Sequence, residues 1–202
     1  MDAEALRKFI TRTGCPRVFA DLEVSDMEGD AAYQRVLIHV GNLAEERLAS
    51  RDFLHRPIFL RFIGAIGSGK TRLACWTLRH AYLGMLPICN AAVNPLFVKA
   101  SDLVELRFQK RFGEADEDDE RASAVRDRLF SSAFLVIDDV SRVAGYRGEE
   151  LFVEHVVERR WEDLRSTVLT MNSNNSLSVR FADFLNYFDE LPLVGGSRRA
   201  RD

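Results

Sequence analysis

The spacing of apolar positions changes character along the chain. From Asp30 to about Ala49, Tyr33, Val36, Leu37, Val40, Leu43, Ala44 and Leu48 fall at helical intervals and predict an amphipathic helix. Ile58–Ile63 (IFLRFI) is a strand-like run between Pro57 and a glycine turn. Lys70–Leu83 then reads as a helix, and Leu96–Ala100 as a short strand. Ser101 and Asp102 offer N-cap oxygens for a helix to about Phe112. Ala133–Ile137 (AFLVI) is wholly apolar, the mark of a strand covered on both faces. Glu149–Asp163 is helical, Ser166–Thr170 β-rich, Val179–Phe188 helical, and Leu191–Val194 a last short strand. Strand alternating with helix predicts an α/β fold with a parallel sheet flanked by helices. Before this core, Met1–Thr13 reads as a short helix or arm, and Cys15-Pro16 opens an irregular stretch.

Composition narrows the class without setting it. The chain has 202 residues and is 47% apolar, enough for a core without disulfides or a structural metal. No apolar run reaches the roughly 20 residues of a membrane helix, and the N-terminus lacks a secretory pattern, so a cytoplasmic protein without a membrane partner is expected. Cys15, Cys75 and Cys89 are odd in number and have no zinc-site spacing. His39, His55, His80 and His155 are scattered and fall in no metal-binding frame. A net charge of −3 gives no general affinity for nucleic acid, although a local basic patch would suffice. The acidic run Glu114–Glu120 reads as a solvated loop or as a grip for a basic partner.

The chemistry enters at the first turn of the core. Gly64-Ala65-Ile66-Gly67-Ser68-Gly69-Lys70-Thr71 matches GxxxxGK[ST] at every fixed position, after a predicted strand and before a predicted helix. Glycines let successive N–H groups point at phosphate oxygens, and the helix start adds partial positive charge. Lys70 then supplies an ammonium to the β/γ-phosphates of ATP and Thr71 a hydroxyl to magnesium. About seventy residues later, the strand Phe134–Ile137 ends in Asp138 and Asp139. Such carboxylates are either turn caps or, at the ligand-binding edge of an open sheet, a magnesium ligand (Asp138) and a water-polarising acid (Asp139). Their pairing with a phosphate loop favours the second reading, because phosphoryl transfer needs both parts. Asn172 follows the β-rich run Thr167–Met171 and is either a turn residue or a contact to the γ-phosphate or attacking water.

In this order the segments resemble the helicase-loader branch of the AAA+ ATPases, the DnaC, DnaI and IstB-like proteins. The likeness is carried by Cys15–Phe19 (CPRVF), the phosphate loop (Walker A), Leu96–Leu103 (LFVKASDL), Leu135–Val140 (LVIDDV, Walker B) and Glu158–Asn174 (ERRWEDLRSTVLTMNSN). It implies a five-stranded parallel AAA+ sheet over residues 15–202, an arm over 1–14 and no separate C-terminal lid domain. It implies Asn172 as sensor 1 and Arg199, in Gly196-Ser197-Arg198-Arg199, as a sensor 2 arginine; Arg199 alternatively belongs to a solvated basic tail. Two departures stand out. The second Walker B acid is Asp139 where most relatives carry glutamate. The run Ala182-Asp183-Phe184-Leu185 puts a phenylalanine where the arginine finger is expected, with Arg180 one helical turn earlier as a substitute.

The resemblance implies an ATP- and magnesium-dependent ATPase, slow without a partner, that helps a replicative helicase or a transposase and self-associates weakly with ATP. Single-stranded DNA is a candidate ligand, with Arg107, Lys110 and Arg111 on one predicted helix as candidate contacts. Two other readings remain: a nucleotide-controlled adaptor that binds ATP but hydrolyses it little, and a small-molecule kinase, disfavoured because no lid-like arginine cluster is evident.

Overall fold

The computed structural model describes residues 3–21, 34, 38, 57–85, 94–103, 124, 127–172 and 177–193. Five strands form one sheet: β1 (Phe59–Gly64), β2 (Leu96–Lys99), β3 (Phe134–Asp138), β4 (Ser166–Met171) and β5 (Asp189–Leu193). Their order is β2-β3-β4-β1-β5, and every neighbouring pair is parallel. Among the described residues, four helices have both ends placed: α1 (Ala3–Arg12), α2 (Lys70–Met85), α3 (Arg147–Glu162) and α4 (Val179–Phe184).

Strand side chains alternate, so β1 to β4 feed two cores. Leu60, Phe62, Phe97, Phe134, Val136 and Val168 meet α1 and α2 through Ile10, Leu73, Ala74 and Leu78. Leu96, Val98, Leu135, Ile137, Leu169 and Met171 meet α3 and α4 through Val153, Val156, Val157 and Phe181. Covering both faces is why the central strands read as apolar runs rather than alternating ones.

The element boundaries differ from the sequence expectation where tertiary pairing decides. The predicted helix Val179–Phe188 stops as α4 at Phe184, continues as a 3₁₀ turn over Leu185–Tyr187, and ends with Phe188 extended and buried. The strand predicted at Leu191–Val194 begins two residues earlier, because Asp189 and Glu190 are in register with Leu60 and Arg61 of β1. An N-cap at Ser101 or Asp102 is not formed. The chain is already helical at Ala100, and the Ser101 hydroxyl donates to the Asp102 carboxylate at 3.2 Å. The helix predicted from Asp30 to Ala49 lies, apart from Gln34 and Ile38, outside the described residues, as do the acidic run and Arg107, Lys110 and Arg111.

The arm is joined to the sheet. Ile10 and Cys15 are buried in the core, and the Thr13 carbonyl accepts from the Phe97 N–H of β2 at 2.8 Å. Gly14 takes φ +97, and a Cβ there would lie 2.3 Å from the Phe97 carbonyl oxygen, so only glycine lets the arm approach β2 this closely. Among the described residues there is no separate lid domain, and no helix is long and apolar enough to cross a membrane.

Candidate functional site

Because all five strands are parallel, Gly64, Lys99, Asp138 and Met171 end at one edge of the sheet. The turn from β1 to α2 closes tightly there. Gly67 and Gly69 take φ +81 and +93, a region that L side chains avoid. Gly64 has no room for a side chain: an added Cβ would sit 2.6 Å from the Leu193 carbonyl oxygen and 2.8 Å from Ser68 Oγ. Ile66 is exposed at the tip, 69% accessible. The loop's Ser68 hydroxyl is buried without a hydrogen-bond partner among the described residues.

Lys70 is buried at the first turn of α2, where its Nζ donates to the Gly64 and Ala65 carbonyls, both at 2.8 Å. Burial pushes its pKa down, while the Asp139 and Asp138 carboxylates pull it up. The opening residues of α2 are Lys70, Thr71 and Arg72, with no acid in the first turn. Cations at the positive end of a helix reverse the stabilising pattern, and an anion seated on the turn would compensate them.

Asp138 ends β3, almost fully buried. Thr71 Oγ1 donates to it at 2.9 Å and Thr170 Oγ1, from β4, at 2.6 Å. Burial pushes the Asp138 carboxyl up, as does neighbouring Asp139, while the threonine hydroxyls and Lys99, its register partner on β2, pull it down. Thr170 also accepts from the Asp139 N–H at 2.8 Å, so one hydroxyl fixes both aspartates.

Asp139 sits in the left-handed region, φ 57 and ψ 51. Aspartate tolerates that conformation better than longer side chains do, which gives a backbone reason for an acid shorter than glutamate here. Its carboxylate is 3.2 Å from Arg142 Nε on the following 3₁₀ turn. Asn172 directly follows β4, the neighbour of β3, at the same sheet edge as Asp138. Its N–H donates to Ser141 Oγ at 2.8 Å, tying the two strand ends together. Thr170, Ser141 and Arg142 are the site residues that sequence reasoning missed. No motif flagged them, and the β-rich run containing Thr170 was the only signal.

Phe184 is not a vacant surface position. Its ring packs with Trp161, Tyr187 and Phe188 at centroid distances of 5.8, 5.7 and 6.3 Å. Arg180 lies on α4 with its charge directed to its own chain, 2.9 Å from Glu154 and 2.9 Å from Glu158 of α3. Arg199 lies outside the described residues.

The residues fit magnesium and a polyphosphate. Thr71 and Asp138 present hard oxygen donors side by side. Among the described residues no group of three or more His, Cys, Asp or Glu could hold a metal by itself. Magnesium at Thr71 and Asp138 would therefore draw its remaining ligands from phosphate and water, its usual habit beside nucleotides.

No protein-family model matches the sequence, and no curated protein matches it. Solved structures do. The crystal structure of DnaI is similar with TM-score 0.64 at 18% identity, over 89% of this chain and 94% of that one. That of the DnaC helicase loader gives TM-score 0.62 at 18% identity, over 82% and 92%. The replication initiator DnaA bound to AMPPCP and single-stranded DNA gives TM-score 0.60 at 16% identity, over 84% and 48%. The chain thus spans about half the length of the two AMPPCP-bound DnaA chains it matches. The parallel β2-β3-β4-β1-β5 sheet, the glycine loop at its edge and these neighbours together show that the chain has the α/β fold of the DnaI and DnaC structures, a five-stranded parallel sheet flanked by helices.

Proposed function

We propose that the chain binds ATP with magnesium, hydrolyses it slowly, and uses the cycle to assist a DNA transaction as helicase loaders do. The observation that carries this reading is the junction of the phosphate loop with the β3 carboxylate, Thr71 Oγ1 lying 2.9 Å from Asp138. In this reading the N–H groups from Gly64 to Gly69 cradle the phosphates. Lys70 leaves the Gly64 and Ala65 carbonyls for the β/γ-phosphates, an exchange that gives its buried charge an anionic partner. Magnesium held at Thr71 and Asp138 supplies neutralising charge to the phosphates. Asp139 polarises the attacking water, and Asn172, held through Ser141, orients it or the γ-phosphate. Arg199 contributes a further phosphate contact. The partner is a replicative helicase or a transposase, and single-stranded DNA raises turnover.

A second reading has its own observations. Asp139 is engaged by Arg142, and the α4 position expected to carry an arginine finger holds the packed ring of Phe184. Since a finger contributes ~10³–10⁵ in rate, its absence favours an adaptor that holds ATP and hydrolyses it little.

The experiment measures ATP affinity and turnover of the parent and of Lys70→Ala, with and without single-stranded DNA. The ATPase reading expects parent turnover stimulated by DNA, and a folded Lys70→Ala that binds no ATP. Tight binding with negligible, unstimulated turnover favours the adaptor. Unchanged affinity in a folded Lys70→Ala sinks both readings.

A further inference from the structure

The N-terminal arm builds a second concave surface, from residues that belong neither to the phosphate loop nor to the β3 carboxylates. α1 turns Ile10 into the core and leaves Glu4, Arg7, Lys8 and Arg12 exposed. The chain turns at Gly14 and Pro16, and Arg17 at the start of the next 3₁₀ turn returns beside the helix. The resulting groove, about 430 Å³, is lined by Glu4, Arg7, Lys8, Thr11, Arg12 and Arg17. Four cations face one carboxylate there, in a chain whose net charge is −3. Arg7 meets Asp21 at 3.1 Å and Lys8 meets Glu4 at 2.6 Å, between exposed groups whose pairing contributes little to stability. Among the described residues, Arg12 and Arg17 pair with no carboxylate. Their backbone is fixed from both sides, because Thr13 between them is bonded to Phe97 of β2 and Gly14 packs on the same residue.

We propose that this groove binds the sugar–phosphate backbone of single-stranded DNA, with Arg12 and Arg17 as its main phosphate contacts. The inference rests on the reading of the chain as a DNA-associated ATPase and gives it a contact separate from the nucleotide site. The helical span from Glu4 to Arg12 is roughly 12 Å at 1.5 Å per residue. The four cations along and beside it can reach a short run of phosphates on one strand. Guanidinium groups suit phosphate oxygens in a forked geometry. A single strand can bend into a concavity one helix wide, whereas a stiff duplex meets it with a convex surface. The lining offers cations for phosphates and no aromatic ring for bases, and phosphate contacts carry no sequence information, so binding is independent of sequence.

The test titrates a labelled oligothymidylate against the full chain over a range of salt, comparing the parent, Arg12→Gln/Arg17→Gln and Lys70→Ala. Both arginines are solvent-facing, and thermal melting checks that the double variant stays folded. The parent is expected to show a log–log salt slope of about −2 or steeper. The double variant loses about tenfold in affinity at low salt and about 1.4 in slope, two contacts at roughly 0.7 each. Lys70→Ala keeps the parent's DNA affinity. A folded double variant with the parent's affinity and slope overturns the proposal. So does a duplex of equal length that binds more tightly than the single strand, or an acidic peptide that depends on the two arginines while oligothymidylate does not. If the parent shows the arginine-dependent slope but itself binds no ATP, the nucleotide reading alone fails.

Discussion

The Asp138 carboxylate is buried yet meets hydroxyls rather than a cation, and its stability consequence has a definite sign. Burial raises its carboxyl in the folded chain, so the native state holds that proton more readily than the unfolded chain does. The stabilising contribution is complete below the ordinary carboxyl range and is lost as pH rises through the raised value. At neutral pH the ionised group therefore costs stability. Asp138→Asn keeps an oxygen for Thr170 and removes the charge. We expect it to melt ~2–4 °C above the parent at pH 7 without nucleotide, with the gain shrinking towards pH 4, while magnesium-dependent ATP binding weakens. Melting curves across that pH range check it, and a variant that melts lower throughout would show Asp138 to be a structural anchor instead. Much of this site was legible in the sequence because the phosphate loop and Asp138 obey a fixed local spacing. Thr170, by contrast, reaches Asp138 across 32 residues, and Ser141 reaches Asn172 across 31; only strand pairing brings them together.

At the scale of elements, α3 is joined to the sheet by a fully buried arginine. Arg160 places its five N–H donors on Thr167 Oγ1, the Leu129 carbonyl, Ser132 Oγ and the Ser132 and Ser166 carbonyls, at 2.7 to 3.1 Å. Burial lowers its pKa to about 9, with nearby Arg165 adding to the drop, and it remains protonated at neutral pH. The sequence marked Arg160-Trp161 as part of a recognisable segment but carried no sign of this role, since the acceptors are mostly backbone carbonyls. The next residue, Trp161, meets Phe184 of α4, so rings as well as the Arg180–Glu154 and Arg180–Glu158 ion pairs orient α4 on α3. If the missing finger alone set the rate, Phe184→Arg would raise turnover. The packing argues otherwise: Phe184→Arg must withdraw from the ring cluster, losing about 1–3 kcal/mol for a half-buried aromatic side chain. We expect a lower melting temperature and no gain in ATP turnover. A stable, faster variant would show that α4 tolerates the exchange and that a missing cation limits the rate. The edges of α4 and β5 were the least legible elements, because DELPL in β5 carries strand pairing on a largely polar, exposed run whose partner, β1, lies far away in sequence.

Across the whole molecule, the strand that carries the phosphate loop has only late partners. β1 pairs with β4 and β5 and with no other strand, and Ile58 is bonded to Ser166 across 108 residues. β2 and β3, by contrast, can pair with each other well before β4 exists. During synthesis on the ribosome the GxxxxGKT segment is therefore made early but stays without a platform until nearly the entire core has emerged. Contacts this distant are also slow to form once the chain is free. Fragments ending before Ser166, or between Met171 and Asp189, are expected to retain no measurable nucleotide affinity, although both contain Lys70, Thr71 and Asp138. Equilibrium binding of a fluorescent ATP analogue to the two fragments checks it, and capture by the shorter one would show that β1 and α2 fold without β4. If the chain binds ATP as proposed, such an order would make nucleotide capture a report on completion: a chain cut short in translation would expose the loop's sequence but hold no ATP, and only the finished sheet would gain the ligand's protection against unfolding and proteolysis.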